Sequence, residues 1–341
     1  MMKCIVTGAT GHIGNVLVRN LFEHGYEIKA IVMPNDRVEM IEPFCNIVYG
    51  NVLDFDFLKR EIKNVDIVFH LAGIVEIGTG KKKLIFQVNV EGTKNILQVC
   101  QENKIKRLIY TSSVHAIPEL KKGIVQKEVS YFDPKLVKGY YAKSKAMATN
   151  IILNQNDPSL EIVIVHPSGV IGPYDYKSSH GSQVFIDYLR GKLTAYPSHG
   201  AYNFVDVRDV ADGIRLAAEK GKNKACYILS GHEITVKEWL QELSQLTGRK
   251  PVKTKLAYWF ILAMSYFAEL HYKVLKQKPL FTHYSVMVLQ SNCSFSNELA
   301  KNELGFKTRD IHETIKDTLG FVENHYLEKK NNQYFLRKLA K

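Results

Sequence analysis

Tyr141 and Lys145 lie four residues apart and are the pair in this sequence best suited to acid–base chemistry. Residues at this spacing project from the same face of a helix, so the phenol and the ammonium group would be neighbours. A free phenol has a pKa of about 10, which makes it a poor acid or base near neutral pH. A nearby positive charge favours the phenolate and lowers that pKa. The spacing therefore predicts that Tyr141 exchanges a proton and that Lys145 adjusts its pKa.

Ser113 is a second polar group that belongs with this pair. It follows residues 107–111, an apolar run with the composition of a strand. Ligands of parallel α/β sheets bind beyond the carboxyl ends of the strands, and a hydroxyl there can hydrogen-bond a substrate carbonyl. His115, two residues further on, is a candidate for the substrate pocket, although a lone histidine often has only a structural role. We predict Ser113 and His115 as substrate contacts.

A glycine loop stands at the start of the chain, after a short apolar strand over residues 4–6. Glycines at this spacing permit a tight turn, let the backbone approach a pyrophosphate and let the following helix pack on the strand. The first N–H groups of that helix attract phosphate. The loop therefore predicts a dinucleotide site, and its expected contacts are Thr7, Gly8, Gly11, His12, Ile13 and Gly14. The positive charge of an oxidised nicotinamide would also favour the phenolate of Tyr141.

The choice between NAD and NADP is equivocal in this sequence. NAD sites place an acid at the end of the second strand, and NADP sites place an arginine nearby for the 2′-phosphate. Met33 occupies the expected strand end, and Asp36 and Arg37 follow it. Each of these two charged residues suits one cofactor. We expect NADP or NAD, with a slight preference for NADP through Arg37.

Strand and helix patterns alternate through the first half of the chain, which predicts βαβ units and a parallel sheet. Helical patterns cover residues 83–103 and 136–155, and the alternation weakens after about residue 174. We predict an α/β fold: a Rossmann doubly wound parallel sheet with a smaller, mostly helical C-terminal substrate domain. The predicted dinucleotide-binding domain spans residues 1–173 with a returning segment near 204–231, the substrate-binding domain spans 174–203 and 232–321, and a basic tail spans 322–341.

Composition narrows the class of protein further. Apolar residues make up 45% of the 341 residues and the net charge is +12, which suits anionic ligands such as nucleotide phosphates. The five cysteines are scattered without a Cys-x-x-Cys pair, so neither a zinc site nor a disulfide framework is indicated. We expect no metal, a cytoplasmic location, a small-molecule substrate, no nucleic-acid partner and a monomer or homodimer.

Taken together, these motifs resemble those of the extended short-chain dehydrogenases/reductases, the NAD-dependent epimerase/dehydratase superfamily. More closely, the chain resembles the branch that holds dihydroflavonol reductases and 3β-hydroxysteroid dehydrogenases beside sugar-nucleotide epimerases, over about residues 3–321. Further motifs that carry the resemblance are His70-Leu71-Ala72-Gly73, Asn89-Val90-Glu91-Gly92-Thr93, His166–Pro173, Phe204–Ala211 and Ala300–Phe306.

The resemblance implies a Ser113, Tyr141 and Lys145 triad, with Asn89 at the position that supports a proton-relay water. A structural role for Asn89 in capping or water binding stays equally open. The implied cofactor contacts, besides the glycine loop, Tyr141 and Lys145, are Asn51, Val52, Leu71, Ala72, Gly73, Pro167, Gly169 and Val170. Where the family has Gly-Asp to hold the adenine amino group, this chain has Gly50-Asn51, and the amide oxygen can accept the same bond.

Residues 256–268 are uncharged and largely apolar, and lysines flank them on both sides. They are too few to cross a bilayer, which needs about 20 residues. We expect a buried helix that walls the substrate pocket. The alternative is a helix that lies on a membrane surface. An apolar, aromatic wall favours a bulky hydrophobic substrate over a sugar nucleotide.

The predicted function is reversible hydride transfer between nicotinamide and a secondary alcohol or ketone of a bulky, hydrophobic substrate of the dihydroflavonol or hydroxysteroid kind. One alternative on the same fold is a sugar-nucleotide epimerase or dehydratase that retains NAD. A second alternative is a non-catalytic NAD(P)-sensing regulator, against which the Tyr141 and Lys145 pair argues.

Overall fold

The computed structural model describes residues 1–75, 82–274, 286 and 288–328. Lys276, Lys278 and most of the predicted basic tail, residues 329–341, lie outside the described residues. Within the described ranges, every helix is too short or too polar to cross a bilayer.

Seven parallel strands form the central sheet, in the order β3-β2-β1-β4-β5-β6-β10. The strands of the described chain are β1 Lys3–Thr7, β2 Glu27–Val32, β3 Asn46–Tyr49, β4 Ile67–His70, β5 Arg107–Thr111, β6 Glu161–Pro167, β7 Gly169–Ile171, β8 Ala195–Pro197, β9 Ala201–Asp206, β10 Ala225–Leu229, β11 His232–Thr235 and β12 Thr254–Leu256. The central strands β1, β4, β5 and β6 are buried along nearly their whole length, as expected for a parallel sheet covered on both faces. The order reverses direction between β1 and β4, which is where dinucleotides bind in Rossmann folds.

Helices cover both faces of this sheet. The helices of the described chain are α1 His12–Glu23, α2 Phe55–Glu61, α3 Lys82–Phe86, α4 Gly92–Glu102, α5 Tyr140–Leu153, α6 His180–Leu189, α7 Val207–Lys220, α8 Val236–Thr247, α9 Tyr258–Val274, α10 Glu298–Leu304 and α11 Ile311–Val322. One apolar core lies between the sheet and α1, α7 and α10, and a second lies between the opposite face and α2, α4 and α5. The predicted doubly wound α/β fold is confirmed.

Two predicted helices differ from the observed ones. The helical pattern over residues 83–103 is divided by a π-helical turn, Gln87–Glu91, which links α3 to α4. The pattern over residues 136–155 becomes helical only at Tyr140, because Gly139 has a φ of 86° that a right-handed helix does not adopt. Both departures lie close to the residues predicted to do chemistry.

The C-terminal part of the chain is mostly helical and adds two small sheets, β7-β9-β11 and β8-β12. A third apolar core joins α6, α8 and α11. Strand β10 returns from this part to pair with β6 in the central sheet. The division of the chain into domains at residue 173 stays a prediction.

Charged pairs fix the segment that returns to the central sheet. Asp206 caps α7 through the backbone N–H of Arg208. The Arg208 guanidinium also bonds Asp317 at 2.7 Å, and Asp209 accepts from Arg309. These residues therefore tie α7 to the region of α11, as structural rather than catalytic groups.

Helix α9 corrects one expectation. The prediction of a buried helix over residues 256–268 is wrong for one of its faces, since Trp259 is 72% and Phe267 66% exposed. Tyr258 does line the pocket described below, and Ser265 is buried. A helix that is apolar on every side has no polar face to turn outward, so contact with the protein along one side leaves aromatic groups exposed on the other.

Candidate active site

Ser113 and Tyr141 meet at the carboxyl end of the central sheet. Ser113 follows β5 and caps a short 3₁₀ turn, Val114–Ala116, where its hydroxyl accepts the N–H of His115 at 3.2 Å. Tyr141 lies in the first turn of α5, and its phenol is close enough to the Ser113 hydroxyl for that hydroxyl to lower the pKa of Tyr141. The strand end and the helix start thus bring together two groups that are 28 positions apart in sequence.

Lys145 is buried one turn further along α5. Its Nζ donates to the carbonyl oxygen of Thr111 at 2.7 Å and lies 5.0 Å from the centre of the Tyr110 ring. Burial lowers the pKa of Lys145 to about 7. The lysine is therefore held against the end of β5 and loses its proton more readily than a free lysine does.

Burial also raises the pKa of Tyr141 to about 12, and the hydrogen bond from Ser113 opposes this rise. The expectation that Lys145 lowers the pKa of Tyr141 is therefore wrong for the protein alone, because desolvation of the phenolate is the larger effect. The positive charge of oxidised nicotinamide, the second cause named above, would therefore matter most when Tyr141 accepts a proton.

Asn89 joins three elements around the triad. Its Oδ1 accepts the N–H of Ile74 at 2.7 Å, and its Nδ2 donates to the Ile74 carbonyl oxygen at 3.1 Å and to Ser144 Oγ at 2.9 Å. Ser144 in turn donates to the carbonyl oxygen of Tyr141 at 2.7 Å. These contacts link the loop after β4 to the first turn of α5 through Asn89, which lies in the π-helical turn, a feature often found at functional sites. Its part in a proton relay stays a prediction.

The glycine loop packs directly on the loop after β4. A Cβ on Gly8, whose φ is 72°, would lie 2.7 Å from the backbone nitrogen of Ala72. A Cβ on Gly14 would lie 2.2 Å from the Gly8 carbonyl oxygen. The hydroxyl of Thr7 accepts the N–H of Ala72 at 3.2 Å and is paired with His70. The structure thus brings the predicted segments 7–14 and 71–73 together.

Lys145 of the triad lies close to the loop after β4. A Cβ on Gly73 would lie 3.2 Å from Asn89 Oδ1 and 3.5 Å from Lys145 Nζ. Gly73 therefore leaves Lys145 close to the backbone of a predicted cofactor segment. This arrangement connects the residues predicted for chemistry with those predicted for binding.

Two observations show that these residues fit a dinucleotide. Gly11 is the N-cap of α1, and none of the described side chains caps this helix, so its first N–H groups are open to a phosphate. Thr111 Oγ1 and Ser168 Oγ are buried at the ends of β5 and β6 without a hydrogen-bond partner in the described chain. The predicted contacts Pro167, Gly169 and Val170 flank Ser168 at the end of β6 and in β7.

The sequence explains less fully the part of the site that is predicted to bind the adenosine half of the cofactor. Asn51 Oδ1 accepts the N–H of Leu53 at 3.0 Å, and Val52 is buried against Gly92. The side chain of Arg37 is 70% exposed and lies 3.6 Å from Glu39. Arg37 makes no contact with the glycine loop in the described structure, so its role with a 2′-phosphate stays a prediction.

Lys177 was missed by sequence reasoning. It follows β7, and its Nζ donates to Thr10 Oγ1 in the glycine loop at 3.0 Å and to Asp36 at 2.9 Å. Asp36 also accepts from Thr10. Sequence offered no signal for this contact, since Lys177 and Asp36 are 141 positions apart and match no motif.

A cavity of about 210 Å³ opens beside the triad. His115 lines it, with its ring edge toward Tyr141 at a centroid distance of 6.3 Å and its Nε2 2.7 Å from the hydroxyl of Tyr202. Apolar groups form much of the wall: Val114, Ile117, Leu136, Val137, Ala142, Val288 and Phe295, with Tyr202 and Tyr258. Burial lowers the pKa of His115 to about 4. His115 therefore lies where a substrate contact was predicted.

His166 contacts the backbone of Ser113, and sequence reasoning did not anticipate this contact. Its Nδ1 lies 3.1 Å from the Ser113 carbonyl oxygen, and its ring stacks on Phe132 at 5.0 Å. Burial lowers the pKa of His166 to about 4, so the ring is neutral at pH 7. No group of three or more His, Cys, Asp or Glu side chains in the described structure could hold a metal ion.

Known proteins with the same features fall in one family. The model of the NAD dependent epimerase/dehydratase family matches residues 4–229. A putative dihydroflavonol 4-reductase from Synechocystis sp. is 33% identical over 334 residues, which cover 95% of this chain and 96% of that protein. A 3-beta-hydroxysteroid dehydrogenase from Mycolicibacterium neoaurum is 26% identical and matches 89% of this chain and 87% of its own.

A solved structure extends this similarity to the backbone. The crystal structure of gox2253 has a TM-score of 0.83 and 30% identity, and covers 96% of this chain and 99% of its own. The family match spans the glycine loop, the triad and the returning strand β10. The chain belongs to the NAD dependent epimerase/dehydratase family and is an NAD(P)-dependent oxidoreductase of the extended short-chain dehydrogenase/reductase kind.

Proposed function

We propose that the protein catalyses reversible hydride transfer between a nicotinamide cofactor and a secondary alcohol or ketone on a bulky, hydrophobic substrate. The observation that carries this proposal is the proximity of the Ser113 and Tyr141 side chains to each other and to a largely apolar cavity. The bound cofactor supplies or accepts the hydride. The protein must then orient the carbonyl and move one proton.

Each triad member has a distinct task in this proposal. Ser113 donates a hydrogen bond to the substrate oxygen, and Tyr141 gives that oxygen a proton in reduction or removes it in oxidation. Lys145, fixed by the carbonyl of Thr111, would provide positive charge near the phenol and would hold the nicotinamide ribose. Asn89 acts through Ser144 to hold the first turn of α5 in place.

Proton exchange through Tyr141 needs its phenolate to be stabilised. Burial raises the pKa of Tyr141 to about 12, so the resting phenol is protonated and suited to donate a proton during reduction. In oxidation it must accept a proton, which requires positive charge nearby. Lys145 and the bound oxidised cofactor provide that charge.

The wall of the cavity supports a hydrophobic substrate over a sugar nucleotide. Lys138 is the one lysine or arginine among its described lining residues, and it lies 3.9 Å from the carboxylate of Glu119. A diphosphate needs cations that are free to contact its oxygens. The relatives named for dihydroflavonol and 3β-hydroxysteroid chemistry are consistent with this choice.

The second candidate function is a sugar-nucleotide epimerase or dehydratase. The family model favours it, because that family is named for epimerases and dehydratases. Such an enzyme retains its NAD and oxidises the substrate only transiently. A non-catalytic NAD(P)-sensing protein is the third candidate. The Ser113 and Tyr141 contact argues against it, because cofactor sensing does not require that pair.

A screen with the purified protein tests the proposal. Hydroxysteroids, flavonoid-like ketones, aldehydes and nucleotide sugars are each offered with both cofactors in both redox states, and net turnover is followed at the nicotinamide absorbance. We expect net turnover with at least one bulky apolar alcohol or ketone. Conversion of a nucleotide sugar without net change in absorbance would instead establish the epimerase or dehydratase function.

A further inference from the structure

Helix α9 presents an aromatic face to solvent. The exposed side chains Trp259, Phe260, Met264 and Phe267 occupy positions i, i+1, i+5 and i+8, which lie along one side of a helix. Large apolar patches on the surface of a soluble protein usually mark an interaction site. This face therefore indicates that α9 binds a partner with an apolar interior.

The opposite side of α9 contacts the protein beside the substrate cavity. Tyr258 lines that cavity together with His115 and Tyr202. The strand β12 precedes α9 and pairs with β8, which anchors the start of the helix. The exposed face thus lies next to the proposed site of chemistry rather than at a remote position on the molecule.

The sequence before and after this face is rich in basic residues. Glu269 is the single acidic residue between positions 243 and 297. The basic residues in that interval are Arg249, Lys250, Lys253, Lys255, Lys273, Lys276 and Lys278. Lys253 and Lys255 are exposed immediately before α9. An aromatic face bordered by lysines matches a surface that is apolar inside and anionic outside.

We propose that α9 docks the protein on the surface of an anionic lipid bilayer, with Trp259 and Phe267 at the headgroup boundary and Lys253 and Lys255 on the lipid phosphates. Tryptophan favours this boundary because its ring is apolar and its N–H can bond to water or headgroups. Each lysine near an anionic surface adds to the attraction.

Charge selects the bilayer over a second copy of the chain as the occupant of this face. Two copies that meet through α9 would bring their Lys253 and Lys255 side chains together, and each copy has a net charge of +12. Like charges that meet at an interface weaken the association. An anionic bilayer instead offers opposite charge around an apolar layer.

Docking would place the cavity close to the lipid from which a hydrophobic substrate could enter. This last step rests on the proposed function, whereas docking itself does not. The experiment below measures lipid binding without substrate, cofactor or turnover, so its failure and a failure of the proposed function are distinguishable.

Co-sedimentation of the full chain with vesicles tests the proposal. Phosphatidylcholine vesicles with and without phosphatidylserine are compared at low and high salt. We expect binding to the anionic vesicles at low salt, loss of most binding at high salt, and a drop of about tenfold or more in the double variant W259A/F267A. Phe22→Ala is the matched control, since Phe22 is exposed on α1, away from α9, and this change should leave lipid binding unaltered.

Fluorescence provides a second readout that does not depend on sedimentation. The chain has two tryptophans, so Trp239→Phe leaves Trp259 as the sole indole. Anionic vesicles should shift its emission to shorter wavelength, and lipids brominated near the headgroups should quench it. The reciprocal variant Trp259→Phe retains only the buried Trp239, whose emission should not respond to either vesicle.

Three results would overturn the proposal. One is the absence of binding to anionic vesicles at low salt. Another is binding that W259A/F267A leaves intact, which would indicate attraction by charge alone. The third is a lipid-free dimer, detected by sedimentation velocity, that W259A/F267A dissociates, which would assign the face to a second copy.

Discussion

The carboxyl end of the central sheet, where the triad lies and which we call the catalytic edge, and helix α9 depart from the usual pattern of burial in opposite directions. At the catalytic edge, His70, Asn89 and Lys145 are buried, although polar and charged groups normally stay in water. On α9, Trp259 and Phe267 are exposed, although large aromatic groups normally leave water. Each departure costs free energy unless a partner compensates for it.

The two regions differ in where that compensation comes from. At the catalytic edge it is internal, because His70 bonds Thr7 and Thr93, and Lys145 bonds the Thr111 carbonyl. On α9 the described chain provides no cover for the exposed face. The comparison teaches that a buried polar group with partners marks a preorganised site, whereas an exposed aromatic face marks a contact with something else.

The largest expected effect is the loss of stability in mild acid, which should arise at the catalytic edge rather than on α9. Burial lowers the pKa of His70 to about 3 and that of His166 to about 4, against an ordinary value of 6.5. Below pH 6.5 the unfolded chain therefore binds protons that the folded chain does not, so stability falls as the pH drops toward 4. Each histidine contributes a slope of up to about 1.4 kcal/mol per pH unit.

Urea unfolding at several values between pH 6.5 and 5 measures this slope. In that window Lys145, whose pKa is lowered to about 7, is protonated in both states and adds little. His24→Gln, which removes an exposed imidazole, is the control and should leave the slope unchanged. A free energy of unfolding that is constant or rises on acidification would contradict the burial of uncharged histidines.

The next effect in size separates two tryptophans on neighbouring helices. Trp239 on α8 is 7% exposed and packs against Phe185 and Phe204 at ring distances of 5.2 and 5.0 Å. Trp239→Ala should cost about 3–5 kcal/mol of unfolding free energy, because it leaves a cavity. Trp259→Ala should cost less than about 1 kcal/mol, because Trp259 fills no core. Chemical denaturation of both variants checks the pair, and equal losses would mean that α9 is packed like α8.

The smallest expected effect is on cofactor choice. If Arg37 contacts a 2′-phosphate, Arg37→Ala should weaken NADP binding about tenfold while NAD binding changes little, since one charge-assisted contact is lost. Titration calorimetry with both cofactors measures the difference. Arg60→Ala, at another exposed arginine paired with a glutamate, is the control. An equal change for NADP and NAD would remove the preference and leave Asp36, held by Thr10 and Lys177, as the residue for the ribose.

Much of the predicted dinucleotide site, the glycine loop and the strands below it, could be inferred from sequence because these elements are determined by local patterns. Gly8 is required by its positive φ and Gly14 by a backbone contact within the same loop, so their spacing is a reliable signal. The strands β1 to β6 follow apolar runs of ordinary length. The contact between Ser113 and Tyr141 follows from the position of a strand end beside a helix start.

Other features depend on long-range packing, which short patterns do not encode. The pKa of Tyr141 rises because of burial, and no sequence spacing reports that burial. Lys177 reaches Asp36 from a distant loop. Helix α9 shows no hydrophobic periodicity, so its sequence did not reveal which side would contact the protein.

The central claim is that Tyr141 moves the proton, and two adjacent tyrosines allow a direct test. Tyr141→Phe and Tyr140→Phe each remove one hydroxyl from the first turn of α5, but Tyr140 is exposed and its ring lies next to the ammonium group of Lys82. Turnover is measured with the best substrate of the screen, and cofactor affinity is measured separately by calorimetry. We predict that Tyr141→Phe lowers kcat by about 10²-fold or more with cofactor affinity retained, and that Tyr140→Phe has nearly normal kcat. Near-normal turnover in Tyr141→Phe would contradict the account.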